Sequence, residues 1–512
     1  MENHKNEYAF SNESIISFVW RGILVGSIAG VIVSLFRLLI EKLSHLVVAT
    51  YQMSHDKPSL VLVIIVISIL VLVVISQFIA SEPDIKGSGI PHVEGELKGL
   101  LAPTWWPVLW KKFIAGILAI SMGFMLGREG PSIQLGAMAA KGLSKFLKSS
   151  RLEKRVLIAS GAAAGLSAAF NAPIAGLLFV VEEIYHHFSR LIWITALVAS
   201  LVANFISLHI FGLEPILAMP KAMPFLDLNH YWLLLLLGTF LGVLGYVYER
   251  VILAFPKYIN QICSVLHLSP KYQGLIPLIL IMPIGYYFPQ LLGGGNGLII
   301  GLSINQTTLL MVCLFFILRF IGSMFSYGSG LPGGIFLPIL TLGALLGLIF
   351  GLLFQKIGLL EPGFLPLFIV LGMAGYFAAI SKAPLTGMLL VTEMVGDLKP
   401  LMAIAVVTFV AYLLMDLLKG APIYEAMLEK MPIMPPHDLV EPTLVELTVS
   451  DRIAGRYVRD LKLPDNVLIT TQVHHGRSQV VSGDTVLISG ATIFMVVNES
   501  EVGHIRQLVM SV

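Results

Sequence analysis

Long apolar segments recur along this chain, and they limit its fold more strongly than any other feature of the sequence. A transmembrane helix needs about 20 consecutive, mostly apolar residues. Segments of that kind occupy residues 15–40, 60–79, 231–253 and 401–418. Because the 512 residues are 56% hydrophobic and only 12% charged, an ordinary soluble protein is excluded. The sequence therefore predicts an all-α polytopic protein of the cell membrane, in contact with the lipid bilayer.

The few charges indicate how the chain is oriented. Six lysines and arginines fall within residues 141–155, opposed only by Glu153, and loops of that kind remain cytoplasmic. The first fourteen residues are polar and lack the basic start and apolar core of a cleavable signal. We expect both termini to be cytoplasmic. The net charge of +2 is too small to favour nucleic acid as a partner.

Hydropathy falls sharply after about residue 431, which predicts a second domain. Residues 431–440 are rich in proline and predict a linker, which leaves residues 1–430 as the transmembrane domain. Residues 441–512 read as a small α+β cytosolic domain with strands near 466–473 and 485–497. A helix-like segment spans residues 450–461, and another closes the chain near 500–510. So small a domain favours pairing with a second copy.

Two segments of the membrane domain repeat within the chain. GREGPSIQLGA aligns on GIFLPILTLGA at an offset of 207 residues, and APIAGLLFVVEE aligns on APLTGMLLVTEM at an offset of 211. Glycine and proline positions match as well as the apolar ones, which favours a true internal repeat of the kind found in transporters. The alignment alone does not distinguish inverted from parallel repeats.

Three segments share the form Gly-x-x-x-Pro, at residues 87–91, 127–131 and 334–338. Proline favours the first position of a helix, and a preceding glycine lets the backbone approach a ligand. A helix start presents unpaired N–H groups and the positive end of the helix dipole, so converging starts would bind an anion without a full charge. For any one segment alone, a helix kink or close helix contact is the simpler interpretation.

Glu129 lies within apolar sequence, where a charged side chain has an unfavourable free energy of insertion into the membrane. A carboxylate at the middle of a membrane costs roughly 2.5–3.5 kcal/mol on insertion scales, so it needs a function or a partner. Arg128 is one structural partner to consider, although adjacent residues seldom face each other on a helix. Alternatively, the ionised side chain occupies the place of an anion at a helix start and leaves when protonated.

These motifs together resemble those of the CLC family of chloride channels and proton-coupled chloride transporters. The segments GSGIP, GREGP and GIFLP occur in the family's order, with NAPIAGLLFVVEE and KAPLTGMLLVTEM between and after them, across roughly residues 15–430. The resemblance implies an inverted repeat of tilted and broken helices. It also implies a homodimer with one anion pathway in each subunit.

The resemblance assigns roles to individual residues. The backbone at Gly87 and Ser88 would form an inner anion site. The Ser88 hydroxyl, the backbone N–H groups of Ile335 and Phe336, and the phenol of Tyr424 would form a central one. A serine at position 88 resembles the members that prefer chloride. Without the resemblance, a serine bonded to its own helix and an interfacial tyrosine are the simpler interpretations.

The charged residues of the motifs receive roles in the same way. Glu129 would be the external gate, and Lys112 and Arg128 would supply electrostatic support. Glu183, at the end of FVVEE, matches a carboxylate that relays protons in the transporters, where channels usually carry an apolar residue. We therefore expect a chloride/proton antiporter, with a passive voltage- or ligand-gated chloride channel of the same fold as the alternative. A solvated or capping carboxylate is the structural interpretation of Glu183.

An intramembrane enzyme with Glu129 and Glu183 as acid and base would need a nucleophile or metal cluster near them. The sequence places no Cys or Asp beside either glutamate, and His186 and His187, which follow Glu183, do not by themselves make up a metal cluster. Cys263 and Cys313 lie in apolar context without a motif. We predict no enzymatic activity, no cofactor and no metal.

The tail is similar to the TrkA-C, or RCK-C, domain of potassium-transport regulatory subunits. The similarity rests on the Leu-x-Leu-Pro segment, the Gly-Asp-Thr turn and the order of the strands. Such domains commonly dimerise and bind small ligands, which implies regulation by a cytosolic small molecule. A dimerisation clamp without a ligand is the equal alternative.

Overall fold

Helices make up almost all of the chain up to residue 431, because a backbone surrounded by lipid must satisfy its hydrogen bonds internally. The computed structural model describes residues 2–185, 190–219, 223–304, 307–432, 442–449, 453–461, 463–464, 467–474 and 477–498. The chain divides into two units, Met1–Met431 and Pro432–Val512.

The first unit is built from seventeen helices in its described residues. The first nine are α1 (Glu2–Met53), α2 (Ser59–Ser81), α3 (Ile90–Leu97), α4 (Trp105–Ser121), α5 (Glu129–Phe146), α6 (Arg151–Phe170), α7 (Pro173–Phe179), α8 (Arg190–Phe211) and α9 (Tyr231–Val265). The others are α10 (Leu275–Tyr287), α11 (Asn296–Ile304), α12 (Leu309–Gly328), α13 (Phe336–Lys356), α14 (Leu365–Ser381), α15 (Pro384–Val395), α16 (Leu401–Leu417) and α17 (Ile423–Glu429). A π-helical turn, Val180–Tyr185, continues α7.

Seven helical segments in the described part of the chain are long and apolar enough to cross a membrane. They contain three of the four apolar segments predicted from the sequence. The fourth forms α16, an apolar helix of 17 residues, which is at the lower limit for a span. The predicted all-α polytopic architecture is confirmed.

The two repeats meet at their glycine-rich segments. The N–H of Gly127 donates to the carbonyl of Gly334, and the N–H of Gly334 donates to the carbonyl of Gly127, both at 2.7 Å. The two segments pair in antiparallel directions. Such a reciprocal pair has a local two-fold axis across the chain direction.

A second reciprocal contact joins α7 and α15. Glu182, in the turn that continues α7, accepts hydrogen bonds from the N–H groups of Leu385 and Thr386 at 3.2 and 2.7 Å. Glu393, near the end of α15, accepts them from Ile174 and Ala175 at 3.1 and 2.8 Å. Because the end of each segment caps the start of the other, equivalent helices run in opposite directions. The repeats are therefore inverted, which the sequence alone left open.

Small residues let the helices within each repeat pack closely. A Cβ on Gly161 of α6 would collide with the Gly136 carbonyl of α5. In the second repeat, a Cβ on Gly372 of α14 would collide with the Gly343 carbonyl of α13. Contacts of this kind replace the hydrophobic driving force that is missing between helices in lipid. The close packing holds the starts of α5 and α13 in fixed positions.

The second unit contains a four-stranded antiparallel sheet. Its strands are β1 (Pro442–Thr448), β2 (Leu468–His474), β3 (Arg477–Val480) and β4 (Thr492–Asn498), in the order β1-β4-β2-β3. Alternate residues such as Ile493, Met495 and Val497 are buried against Ile469. The strand predicted near residues 466–473 is confirmed.

Two expectations for this unit need correction. Only the second half of residues 485–497 is a strand, because the chain turns first at Gly490, whose φ is +72°. The helix-like segment 450–461 contains a 3-10 helix, Val458–Leu461, rather than an α-helix in its described residues. Most of the predicted linker and the whole closing helix lie outside the described residues.

Candidate anion site

The backbone before α3 forms the first wall of the candidate site. The N–H of Gly333 donates to the carbonyl of Gly87 at 3.0 Å, which joins this segment to the one that leads into α13. Gly89 has a φ of +92°, and a Cβ there would meet the Gln134 side chain, so only glycine fits. Ser88 is 1% exposed, and its hydroxyl has no hydrogen-bonding partner among the described residues.

Glu129 is the first residue of α5 and is completely buried. Neither carboxylate oxygen has a hydrogen-bonding partner in the described part of the chain. The side chain folds back across Gly127, where a Cβ would collide with its Oε2 atom and would lie 3.2 Å from the backbone nitrogen of Leu337. The carboxylate of α5 is therefore next to the start of α13.

All three helix starts named by the sequence are buried and lack a side-chain cap. The capping positions are Gly89 for α3, Arg128 for α5 and Ile335 for α13, and no side chain at these positions bonds the helix start. The first N–H groups of a helix have no partner within it, and buried groups of this kind normally find one elsewhere. An anion satisfies such donors and is favoured by the helix dipole.

Aromatic rings connect the start of α13 to Tyr424. The Phe336 ring is completely buried and lies 5.9 Å from the Phe179 ring, which lies 6.1 Å from the ring of Tyr424. Tyr424, on α17, is completely buried, and its hydroxyl has no hydrogen-bonding partner among the residues described. Gly130, beside Glu129, contacts Ser88, since a Cβ on Gly130 would collide with the Ser88 hydroxyl. The structure thus brings the predicted site residues from four segments together.

Lys112 is completely buried beside the segment that carries Ser88. Its Nζ donates to the carbonyls of Ile85 and Gly87, at 2.9 and 2.7 Å. These bonds hold the segment that carries Ser88. Neither partner is a carboxylate, so a positive charge on Lys112 would be left uncompensated by these contacts and would favour an anion at Ser88.

Arg128 pairs with Glu41 of α1 rather than with Glu129. Its Nη1 lies 2.6 Å from Oε1 of Glu41, and Arg37 shares the same oxygen at 3.0 Å. The structural ion pair between Arg128 and Glu129 considered from the sequence is therefore wrong. Two guanidinium groups share one carboxylate, which leaves net positive charge beside the start of α5.

Glu183 lies in the π-helical turn after α7 and is 3% exposed. Its Oε1 has no hydrogen-bonding partner in the described segments. Its neighbour Glu182 is instead fully engaged, since it caps α15. Of the two adjacent glutamates, the capping role considered for Glu183 belongs to Glu182.

Sequence reasoning missed several residues around the site. Tyr327 lies beside Gly87, with its hydroxyl 3.5 Å from where a Cβ of that glycine would be. Arg319 is completely buried and donates to the carbonyls of Leu291, Gly293 and Gly294. It precedes the start of α13 by the same seventeen residues that separate Lys112 from Glu129. The repeat offset of 207 residues could therefore have found Arg319.

Comparison with known families gives two matches. Residues 67–416 match the family described as voltage gated chloride channel, and residues 443–510 match the TrkA-C domain. Both resemblances inferred from the motifs are confirmed.

Comparison with individual proteins extends these matches over most of the chain. The chain is 34% identical to the H(+)/Cl(-) exchange transporter ClcA of Vibrio campbellii, over 82% of this chain and 91% of that protein. It is 32% identical to the transporter of the same name from Salmonella schwarzengrund, over 81% and 89%. A solved structure of a slow cyanobacterial Cl-/H+ antiporter shares 30% identity at a TM-score of 0.74, covering 81% of this chain and 97% of that one.

Proposed function

We propose that this chain, which belongs to the voltage gated chloride channel family, exchanges chloride for protons across a membrane. The similar proteins from Vibrio and Salmonella carry the name H(+)/Cl(-) exchange transporter, and the similar cyanobacterial structure is a Cl-/H+ antiporter. These names support an antiporter over the passive channel of the same fold. The site's geometry supports it independently.

One observation carries the proposal: the hydroxyls of Ser88 and Tyr424 are buried and have no hydrogen-bonding partner among the described residues. Leaving a buried polar group unsatisfied costs about 1–3 kcal/mol, so the hydroxyls of Ser88 and Tyr424 need an acceptor. A dehydrated chloride is such an acceptor. It would take the two hydroxyls and the N–H groups of Ile335 and Phe336, with the backbone at Gly87 and Ser88 forming the inner site. Partial charges bind the ion firmly enough to select it and weakly enough to release it.

The position of Glu129 supports its role as a gate whose carboxylate competes with the anion for the start of α13. When ionised, its carboxylate lies beside the first N–H groups of α13, where an anion is also favoured. Protonation removes the charge and therefore the attraction, so an anion can replace the side chain. A proton on Glu129 and an anion at the helix start are thus coupled. Arg128, and Lys112 when it is charged, would add positive potential that favours an anion in this site.

Glu183 is proposed as a second protonation site. Protons that pass through it would take a route partly separate from that of the anion. Both Glu129 and Glu183 interact electrostatically with Tyr424, which supports a location of the two acids near the same tyrosine. A proton would reach Glu129 by way of Glu183, on a route that differs in part from that of chloride. In a passive channel, a second buried acid at this position would have no role.

The family resemblance is the basis for proposals about how subunits assemble and how the chain is oriented in the membrane. We expect a homodimer with one pathway per subunit and both termini in the cytoplasm. The TrkA-C domain would bind a cytosolic small molecule that regulates transport, or would clamp the dimer. The boundaries 1–430, 431–440 and 441–512 are proposed for the transmembrane, linker and cytosolic domains.

Reconstitution into liposomes tests the transport proposal. A chloride gradient is imposed across proteoliposomes, and the internal pH is followed with a trapped dye. Antiport predicts uphill proton movement that stops when a proton ionophore collapses the pH difference. Chloride flux without any proton movement in the unmodified protein would contradict antiport and favour the channel.

A further inference from the structure

Tyr327 lies against the backbone of the proposed inner anion site. It is near the end of α12, and its hydroxyl would be 3.5 Å from a Cβ on Gly87. The hydroxyl also interacts with the backbone N–H of Ser88. The carbonyl of Gly330, three residues further along the chain, accepts a hydrogen bond from the N–H of Gly87 at 3.4 Å. The end of α12 therefore holds the inner-site backbone and places a phenol beside it.

The hydroxyl of Tyr327 has a weak hydrogen-bonding partner. It donates to the sulfur of Met427, on α17, at 3.0 Å. A thioether is a weak acceptor, whereas a hydrogen bond to a charged acceptor is roughly twice as strong as one between neutral groups. Because the hydroxyl hydrogen can reorient, it can leave the sulfur for a stronger acceptor. An anion at the backbone of Gly87 would be such an acceptor.

Tyr327 is also closer to solvent than the two hydroxyls of the central site. Ser88 is 1% exposed and Tyr424 is completely buried, whereas Tyr327 is half-buried. An inner site at the solvent end of the pathway requires a ligand of this kind, which an anion meets before it reaches the two buried hydroxyls.

We propose that Tyr327 is a ligand of the inner anion site, with its hydroxyl donating to chloride bound at the backbone of Gly87 and Ser88. The proposal rests on the proposed anion pathway, and it adds a side-chain donor that the family resemblance did not assign. Without chloride, the hydroxyl donates to Met427, and with chloride it donates to the ion. The hydroxyl therefore has an acceptor in both states, and its gain on changing acceptors adds affinity for the anion.

Bromide-soaked crystals test this role, because anomalous scattering locates the inner and central positions separately. Tyr327→Phe keeps the ring and removes the hydroxyl. Over a series of bromide concentrations, half-occupancy beside Gly87 should require at least about threefold more bromide than in the unmodified protein. Half-occupancy between Ser88 and Tyr424 should stay the same, because those two hydroxyls are retained.

Tyr51→Phe is the matched control. The Tyr51 hydroxyl also donates to a methionine sulfur, that of Met282, at 3.0 Å. This contact joins α1 and α10, neither of which supplies a ligand of the proposed anion sites. Loss of the Tyr51 hydroxyl should leave bromide at both positions unchanged.

Met427→Leu separates a ligand from a structural contact, and it keeps the test decisive if Tyr327→Phe folds poorly. It removes the sulfur and keeps the phenol, so half-occupancy beside Gly87 should need no more bromide than in the unmodified protein. Equal losses at the inner position in both variants would show that only the packing of α12 against α17 matters, and would overturn the proposal. Unchanged or tighter bromide binding beside Gly87 in Tyr327→Phe would overturn it as well.

The transport assay separates this role of Tyr327 from antiport itself. Uphill proton movement by the unmodified protein, together with unchanged inner bromide in Tyr327→Phe, would reject Tyr327 as a ligand and leave antiport intact. Absence of bromide beside Gly87 in the unmodified protein would reject the inner site and this role of Tyr327 together. If the unmodified protein moves no protons, the antiport proposal is wrong, whatever Tyr327 binds.

Discussion

The two inverted repeats of this protein have nearly the same fold, but acidic residues at two positions of the first repeat are replaced by apolar residues in the second. α5 begins at Glu129, whereas the equivalent helix α13 begins at Phe336. Glu183 follows α7, whereas Met394 holds the equivalent position in α15. The proposed proton-carrying acids therefore lie in the first repeat only. An exact two-fold site would bind anions symmetrically, and under the proposed function the acids of the first repeat would supply the coupling to protons.

Structural charges, in contrast, occur in both repeats. Lys112 and Arg319 each hold a glycine-containing segment by bonding its carbonyls. Glu182 and Glu393 cap each other's helices. The duplicated charges therefore stabilise equivalent contacts in both repeats, and the unduplicated acids Glu129 and Glu183 are the proposed candidates for proton transport. Mutations at both kinds of residue test this difference between the repeats.

Glu129→Gln is expected to have the largest effect. The neutral amide cannot carry a proton or compete as an anion, so coupled proton transport should fall at least ~100-fold while chloride flux continues. The measurement is chloride and proton flux in the same proteoliposomes. Glu361→Gln, at an exposed acid, serves as the control. Persistent proton coupling in Glu129→Gln would remove the gate from the mechanism.

Glu183→Gln tests the second unduplicated acid. We expect proton transport to be lost and chloride flux to continue, because the anion site does not include this side chain. Met394→Leu, at the equivalent position of the second repeat, should leave both fluxes unchanged. Equal proton fluxes in the two variants would show that the asymmetry between repeats is not functional at this position.

The reciprocal caps should behave alike. Glu182→Gln and Glu393→Gln each replace a charged acceptor of backbone N–H groups with a neutral one. Each should lower the free energy of unfolding by about 1–2 kcal/mol, measured by denaturant unfolding in detergent. A loss confined to one variant would contradict structural equivalence of the two repeats.

The smallest effects are expected at the two hydroxyls of the anion site. Ser88→Ala and Tyr424→Phe each remove one donor, worth about 0.5–1.5 kcal/mol, so chloride binding should weaken by roughly three- to tenfold. Isothermal titration calorimetry measures this directly. Tyr246→Phe removes a tyrosine hydroxyl that instead bonds Arg250 and should leave the affinity unchanged. Unaltered affinity in both site variants would exclude these hydroxyls as ligands.

Much of this arrangement could be predicted from the sequence, because it depends on local signals. Glycine and proline at fixed spacings marked the starts of α3, α5 and α13, and the matching motifs marked the repeats. The direction of the repeats could not be predicted, because it depends on contacts such as that between Gly127 and Gly334. Arg319 could have been predicted, because the repeat offset of 207 residues relates it to Lys112.

Other features carried no local signal. Glu41 binds Arg128 across 87 residues, and Glu425 binds Lys98 across 327. Ion pairs between such distant segments depend on how the helices pack. The π-helical turn at Val180–Tyr185 also has no sequence signature, yet it helps to orient Glu182 and Glu183 differently. Glu182 and Glu183 therefore have different contacts because of tertiary structure, although they are adjacent and identical in type.

We propose that a carboxylate and a halide compete for the start of α13, and anomalous scattering from bromide-soaked crystals locates the halide. The unmodified protein at neutral pH should show bromide between Ser88 and Tyr424. Glu129→Gln should show an additional peak where the carboxylate lay, beside the backbone nitrogen of Leu337. An absence of bromide at both positions in crystals of both proteins would contradict this competition.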